Sequence, residues 1–350
     1  MRVFTQPVAV ARLRSLPMMA PPVAAALTII VVAVAPDPYL HGSVARMLPL
    51  ALLAVSVAVV TGHAGLPTLG QVAPYAAGAY LTARLALAGI DLAAVHLLCA
   101  AVVGAVVAGL AGAVLVRYRG TVFLMLSLAV AELTAITAGQ WRAVSGGTDG
   151  LAGIPAPRLL PGVAPLFGDR TVLLYAATIT IAATAVAGWM LRGDRRMLLT
   201  AAQTDEDRAR ASGHPVYAYL WTVHTAAGAM AGIAGTLLIH THRWITPADV
   251  GFSVAALVLL AVVIGGARSL TGAAVGAVIV LVVRDVVAVE VPGHAPLLLG
   301  VLFVIVVYAL PGGLAALPAR LRHRHRRHRR HAGPHDAASL PTATSVRSTS

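Results

Sequence analysis

The chain has 350 residues, of which 58% are hydrophobic and only 11% charged, and its mean hydropathy is +0.83. Soluble domains carry roughly 25% charge, so a soluble globular fold is excluded and a membrane protein remains. The formal net charge is +13 and every one of the 26 basic residues is arginine; without lysine, P-loop ATP hydrolysis and Schiff-base chemistry are excluded as well.

Arg12 and Arg14 precede a first apolar run at 20–35. The run resembles an export signal, but Pro36 opposes cleavage after Ala35, so it is expected to be retained as a first span. Further runs follow at 44–60, 72–90, 93–116, 122–138, 171–191, 216–239, 252–264, 270–283 and 295–310. The expectation is an all-α integral membrane protein, a polytopic helical bundle of about ten apolar segments. Its domains are a cytoplasmic N-terminal segment at 1–19, a transmembrane domain at 20–310 and a basic tail at 311–350. Several runs fall short of the about 20 residues of a straight span, so broken or re-entrant helices are expected near Thr61 and Gly265.

Threading ten spans with both termini cytoplasmic puts nineteen of the 26 arginines inside, as the positive-inside rule requires. Cys99 stands alone in an apolar run and reads as packing. No HExxH and no GxSxG occurs, so the chain is expected to be no enzyme, with no metal and no cofactor of its own.

Along the chain, the polar residues inside these spans are few. Thr68, Gln71 and Tyr75 are read as sharing one helix face, next to Gly65 and Gly70. Glu132 is the only acid in the middle of a run, with Ser127 nearby. Intramembrane polar groups are functional by default, so these residues are candidates for a substrate pathway. The outer loop at 140–170 holds a turn-rich patch, Ser145, Gly146, Gly147, Thr148 and Asp149, suited to docking an external protein. An ordinary connector is the plainer alternative.

The segment 192–215 is the compact charged loop of the chain. It reads as a two-turn helix at 204–212, with Thr204 as cap and Asp207 closing a capping box. Asp205, Glu206 and Asp207 lie at the positive end of the helix dipole, Glu206 reaches Arg210 at i,i+4, and Gly213 ends it. Small residues at Ala202, Ala209 and Gly213 leave a face that another protein can approach. Farther on, GARSLTG, with Gly265, Gly266 and Ser269, has the texture of GLPTLG at 65–70. This weak internal pseudo-repeat is a pointer to a translocation pathway; plain helix packing through small residues is the alternative. The tail RLRHRHRRHRRH suits anionic lipid headgroups rather than nucleic acid.

Three stretches, TGHAGLPTLGQVAPYAAGAY, RGTVFLMLSLAVAE with QWRAVSGGTDGLAGIP, and 205–277 with IGGARSLTGAAVGA, make the chain resemble the LIV-type permeases of ATP-binding-cassette importers for branched-chain amino acids. It departs from that pattern at Gln203 and Thr204, where the family carries Arg-Glu, at Arg268, where it carries Gly, and near Ala273, where it has Pro. The resemblance implies that 192–215 is a cytoplasmic coupling loop. Its partners are then two ATPase subunits that bind ATP and Mg, a second permease subunit and an extracytoplasmic solute-binding protein. Localisation in the plasma membrane follows. An ion-coupled secondary carrier or channel acting without an ATPase, and a scaffold that moves nothing, are the rival readings.

Overall fold

The structure is a computed structural model and describes residues 38–162, 164–290, 300, 301 and 304. The runs expected at 20–35 and 295–310 lie wholly or almost wholly outside these residues, as do the two terminal segments. The described chain is helical, with two isolated bridges and no strand. Helices are what apolar runs must form in lipid, where each backbone group needs a partner within its own segment.

In chain order, α1 (Pro38–Ala58) runs into a π turn (Val59–His63), and α2 (Val72–Leu87), α3 (Ala93–Leu115) and α4 (Gly120–Gln140) follow. After the short α5 (Arg142–Ser145) come α6 (Asp169–Met190), α7 (Asp194–Thr204), α8 (Glu206–Ala211) and α9 (Val216–His242). The described helices end with α10 (Phe252–Gly265) and α11 (Leu270–Glu290). Among the described residues, five helices are long and apolar enough to cross a membrane: Tyr39–His63, Ala93–Leu115, Gly120–Gln140, Asp169–Met190 and Val216–His242. At 16 and 14 residues, α2 and α10 are shorter than a straight span.

The centre of the bundle is α1 and α9. Of their most apolar windows 78% and 67% is buried, against 28% and 22% for α3 and α4 at the periphery. There α3 turns Leu98, Val102, Val106, Leu110 and Val114 outward, an exposed apolar stripe at helical spacing. Small residues bring α9 against its neighbours: a Cβ on Gly232 would run into the Ala100 carbonyl of α3, and one on Gly235 into the Tyr75 carbonyl of α2. Gly276 of α11 rests likewise on the Ala261 carbonyl of α10. Close backbone approach of this kind stands in for the hydrophobic effect, which lipid removes. A Thr82–Thr236 hydrogen bond of 2.9 Å adds a polar tie between α2 and α9.

The loops sort into two ends. Gly62 touches Ala267, and Arg119 meets Glu206, at one. At the other, Asp91 pairs with Arg158, and Leu151 bridges Ile245. Among the described residues, successive loops alternate between these ends.

Candidate functional site

The charged loop is more helical than its sequence suggests. Residues 194–204 already form α7, and Leu199 is buried beneath it. Contrary to expectation, Thr204 does not cap the next helix: it closes α7, its Oγ1 donating to the Thr200 carbonyl at 2.9 Å. The cap is Asp205, whose extended backbone breaks the chain and whose Oδ1 accepts from the Arg208 amide at 3.0 Å. Asp207 therefore sits in the first turn of α8, at the positive end of its dipole, rather than closing a capping box on Thr204. α8 is six residues long. The i,i+4 pair of Glu206 and Arg210 is present at 2.6 Å, and Gly213 stops the helix with φ of 82°. Ala209 is buried against the bundle; Asp205, Asp207 and Ala211 are exposed.

Two ties join this element to the bundle. Arg119, just before α4, donates from Nε and Nη2 to the two Glu206 oxygens, each at 2.7 Å. These hydrogen bonds hold the Glu206 carboxyl below its ordinary range; partial burial opposes them, and the charges of Arg119 and Arg210 reinforce them. The second tie is Gln203. Its Nε2 donates to the carbonyls of His63 and Gly62, at the end of the π turn, and its Oε1 accepts from Arg268 at 3.0 Å. Gly62 in turn presses on the Ala267 carbonyl, and Gly65, at φ of 73°, leaves room only for Gln203 beside it. A half-open cavity of about 450 Å³ lies between Gly65, Arg119, Ala202, Gln203 and Glu206. Arg119, Gln203 and Arg268 had no signal in the sequence as partners, because the residues they join are 65 to 141 positions apart.

From Ala64 the chain turns back into the bundle, as the expected re-entrant segment near Thr61. The Leu69 amide donates to Ser127 Oγ at 3.1 Å, and Gly70 rests on Ser127; Ser127 lies seven residues into α4, about 10 Å from its start. Thr68 belongs to this loop, not to a helix face shared with Gln71 and Tyr75; its Oγ1 accepts from the Gly70 amide, a turn that residues of α2 cannot make. Gln71, the cap position of α2, and Tyr75 are fully buried. Ser56 Oγ bridges Gln71 Oε1 and the Ala227 carbonyl at 3.3 and 2.7 Å. The Gln71 Nε2 and Tyr75 hydroxyl have no partner among the described residues. Buried donors without partners are costly, so these two groups stand out in the core of the bundle.

The other pathway candidates separate from this cluster. Gly265 packs on the Gly272 carbonyl, Gly266 turns the chain at φ of 100°, and Ser269 Oγ accepts from the Gly272 amide to start α11. These lie beside Gly62, at the α7–α8 end. Glu132 is exposed on the outer face of α4 and does not join the buried polar groups.

At the opposite end, Ser145 is buried, Gly146 and Gly147 have positive φ, and Thr148 and Asp149 are exposed. Arg84 holds this turn through the Val144 and Ala143 carbonyls, at 2.7 and 2.6 Å. A buried chain of rings, absent from the sequence reading, closes this end. His96 Nε2 lies 2.7 Å from the Ile90 carbonyl, His96 Nδ1 3.0 Å from His240 Nε2, and His240 Nδ1 3.0 Å from the Tyr175 hydroxyl. The carbonyl can only accept, so with neutral rings every direction is fixed: Tyr175 donates to His240, His240 to His96, and His96 to Ile90. The chain ties α3, α6 and α9.

A family model described as branched-chain amino acid transport system, permease component, matches residues 39–307. The high-affinity branched-chain amino acid transport system permease protein LivM of Salmonella typhimurium strain LT2 is 29% identical over 285 residues, covering 75% of this chain and 67% of its own. LivM of Escherichia coli K12 is 28% identical over 288 residues, with the same coverage.

Proposed function

Because the chain belongs to the family of permease components of branched-chain amino acid transport systems, and is thus a multi-pass membrane transport subunit and not an enzyme, we propose that it forms half of the pathway of an importer for branched-chain or related amino acids. A second permease chain completes the pathway. Two separate ATPase subunits, which bind ATP and Mg, dock on the exposed Asp205, Asp207 and Ala211 face of α8. A solute-binding protein delivers cargo to the 145–149 turn at the other end, and the α7–α8 end is cytoplasmic.

The observation that carries this reading is the double attachment of the α7–α8 junction. Movement of α8 pulls on Arg119, and so on the start of α4, through two charge-assisted hydrogen bonds. The same movement pulls through Gln203 on the π turn that ends α1 and on the turn before α11. π turns are weak points of helices and recur at functional sites. The re-entrant residues 64–71 hang from that turn and carry Gln71 towards Tyr75 and Ser127, so a push on α8 shifts the polar wall of the pathway. Alternating access follows if the two interrupted segments, 65–70 and 266–272, move as a pair.

The test is a charge exchange. In proteoliposomes containing the assembled transporter, Arg119→Glu and Glu206→Arg singly abolish ATP-driven leucine uptake, and the double exchange restores it in part. Undiminished uptake in both single variants would end the coupling reading.

A further inference from the structure

Between α6 and α9 the bundle has a crevice that the coupling site does not use. The two helices meet at one end, where Tyr175 bonds to His240 at 3.0 Å. Towards the α7–α8 end they part, and the gap between them is a cavity of about 280 Å³. Val59, the first residue of the π turn, is its floor; Met190, Leu191, Val223 and Met230 are its walls. On α9 it runs from Tyr219 to Met230, eleven residues or about 16 Å of depth. At its mouth lies Arg195, the first basic residue of α7 and exposed. Arg195 has no acidic partner among the described residues, while Arg192 and Arg196 beside it are also exposed. An apolar slot that runs along the membrane normal and opens beneath an exposed cation has the polarity of one amphiphile: an acyl chain under an anionic head.

We propose that the α6–α9 crevice is a binding site for an anionic glycerophospholipid from the leaflet at the α7–α8 end, with one acyl chain between Val59, Leu191 and Met230 and the phosphate on Arg195. The occupant is a lipid rather than a soluble anion because, apart from Tyr219 and the Thr222 hydroxyl, which is spent on the Tyr219 carbonyl, the lining below Arg195 consists of alanine, valine, leucine and methionine side chains. The lipid wedges α6 from α9 next to α7, so its presence sets the resting position of the helix that leads into α8. The site stands apart from the coupling ties and does not depend on them.

The experiment is native mass spectrometry of the full chain, purified in detergent and offered equal amounts of dioleoylphosphatidylglycerol and dioleoylphosphatidylcholine. Wild type retains phosphatidylglycerol over phosphatidylcholine by about fivefold, the factor expected of one basic side chain against an anionic lipid. Arg195→Gln brings the two lipids to parity and still retains them. Ala226→Trp, which fills the slot from α9, loses both, while its thermal unfolding without added lipid stays near that of wild type. Equal retention of the two lipids by wild type overturns the proposal, and so does undiminished retention by Ala226→Trp. Displacement of the lipid by free leucine overturns it as well, since the crevice would then belong to the cargo.

Discussion

Two buried or half-buried groups decide how single residues respond. Glu206 is held below the ordinary carboxylate range first by the Arg119 hydrogen bonds. A depressed folded pKa means that its contribution to stability is complete above the unfolded value and is lost only as pH falls through the folded one. Hydrogen-exchange protection of residues 205–211, taken relative to the intrinsic rate at each pH, is therefore expected to be the same at pH 5 as at pH 7, and to fall only below the usual glutamate range. In Glu206→Gln that acid-induced loss of protection disappears, because no proton can then displace Arg119. Losing the bidentate pair costs about 1–2 kcal/mol, since both partners retain some contact with water. Tyr175→Phe acts differently: it strips the buried His240 Nδ1 of its donor and leaves the rest of the ring chain in place. The cost is about 2 kcal/mol, that of an unsatisfied buried acceptor, and it is read as a lower melting temperature of the purified chain.

Among the elements, α9 bears the tightest constraints. Gly232→Leu forces a side chain into the Ala100 carbonyl and the backbone of Gly104, an overpacking that costs about 3 kcal/mol and is read as loss of folded protein on size exclusion. Gly188→Leu on α6 meets nothing within 4 Å and leaves the yield of folded chain unchanged. The helices themselves were legible in the sequence, because hydropathy runs and membrane-spanning helices have the same physical origin; the expected run at 216–239 became Val216–His242. Capping was less legible. Thr204, Asp205 and Asp207 are all good caps, and only the extended backbone at Asp205 selects one of them. Long-range pairings were not legible at all: Gln203 with His63, or His96 with His240, are single polar residues in unrelated segments until the helices pack. Glu132 shows a different limit: its apolar neighbours single it out in the sequence, but not that the helix turns it outward, away from the buried polar groups.

For the whole molecule, the two sets of loops make a mechanical argument. One end gathers the interrupted segments, Arg119 and the α7–α8 junction; the other is tied by rings and by Arg84. The proposed drive at one end and loading at the other call for such a layout. Its sidedness is open to direct labelling. In a Cys99→Ser background, Ser212→Cys is expected to resist a membrane-impermeant maleimide in intact cells and to react in inverted vesicles, whereas Thr148→Cys shows the reverse. The central claim is that force from ATP hydrolysis enters through α8. The most direct measurement is leucine uptake, with ATP consumption, in proteoliposomes holding this chain with its partner permease, ATPase subunits and binding protein. Uptake that needs ATP and that Gln203→Leu uncouples, with hydrolysis continuing while transport falls, is the predicted result. Uptake by the chain without any ATPase, or a Gln203→Leu transporter with an unchanged ratio of solute to ATP, would contradict it.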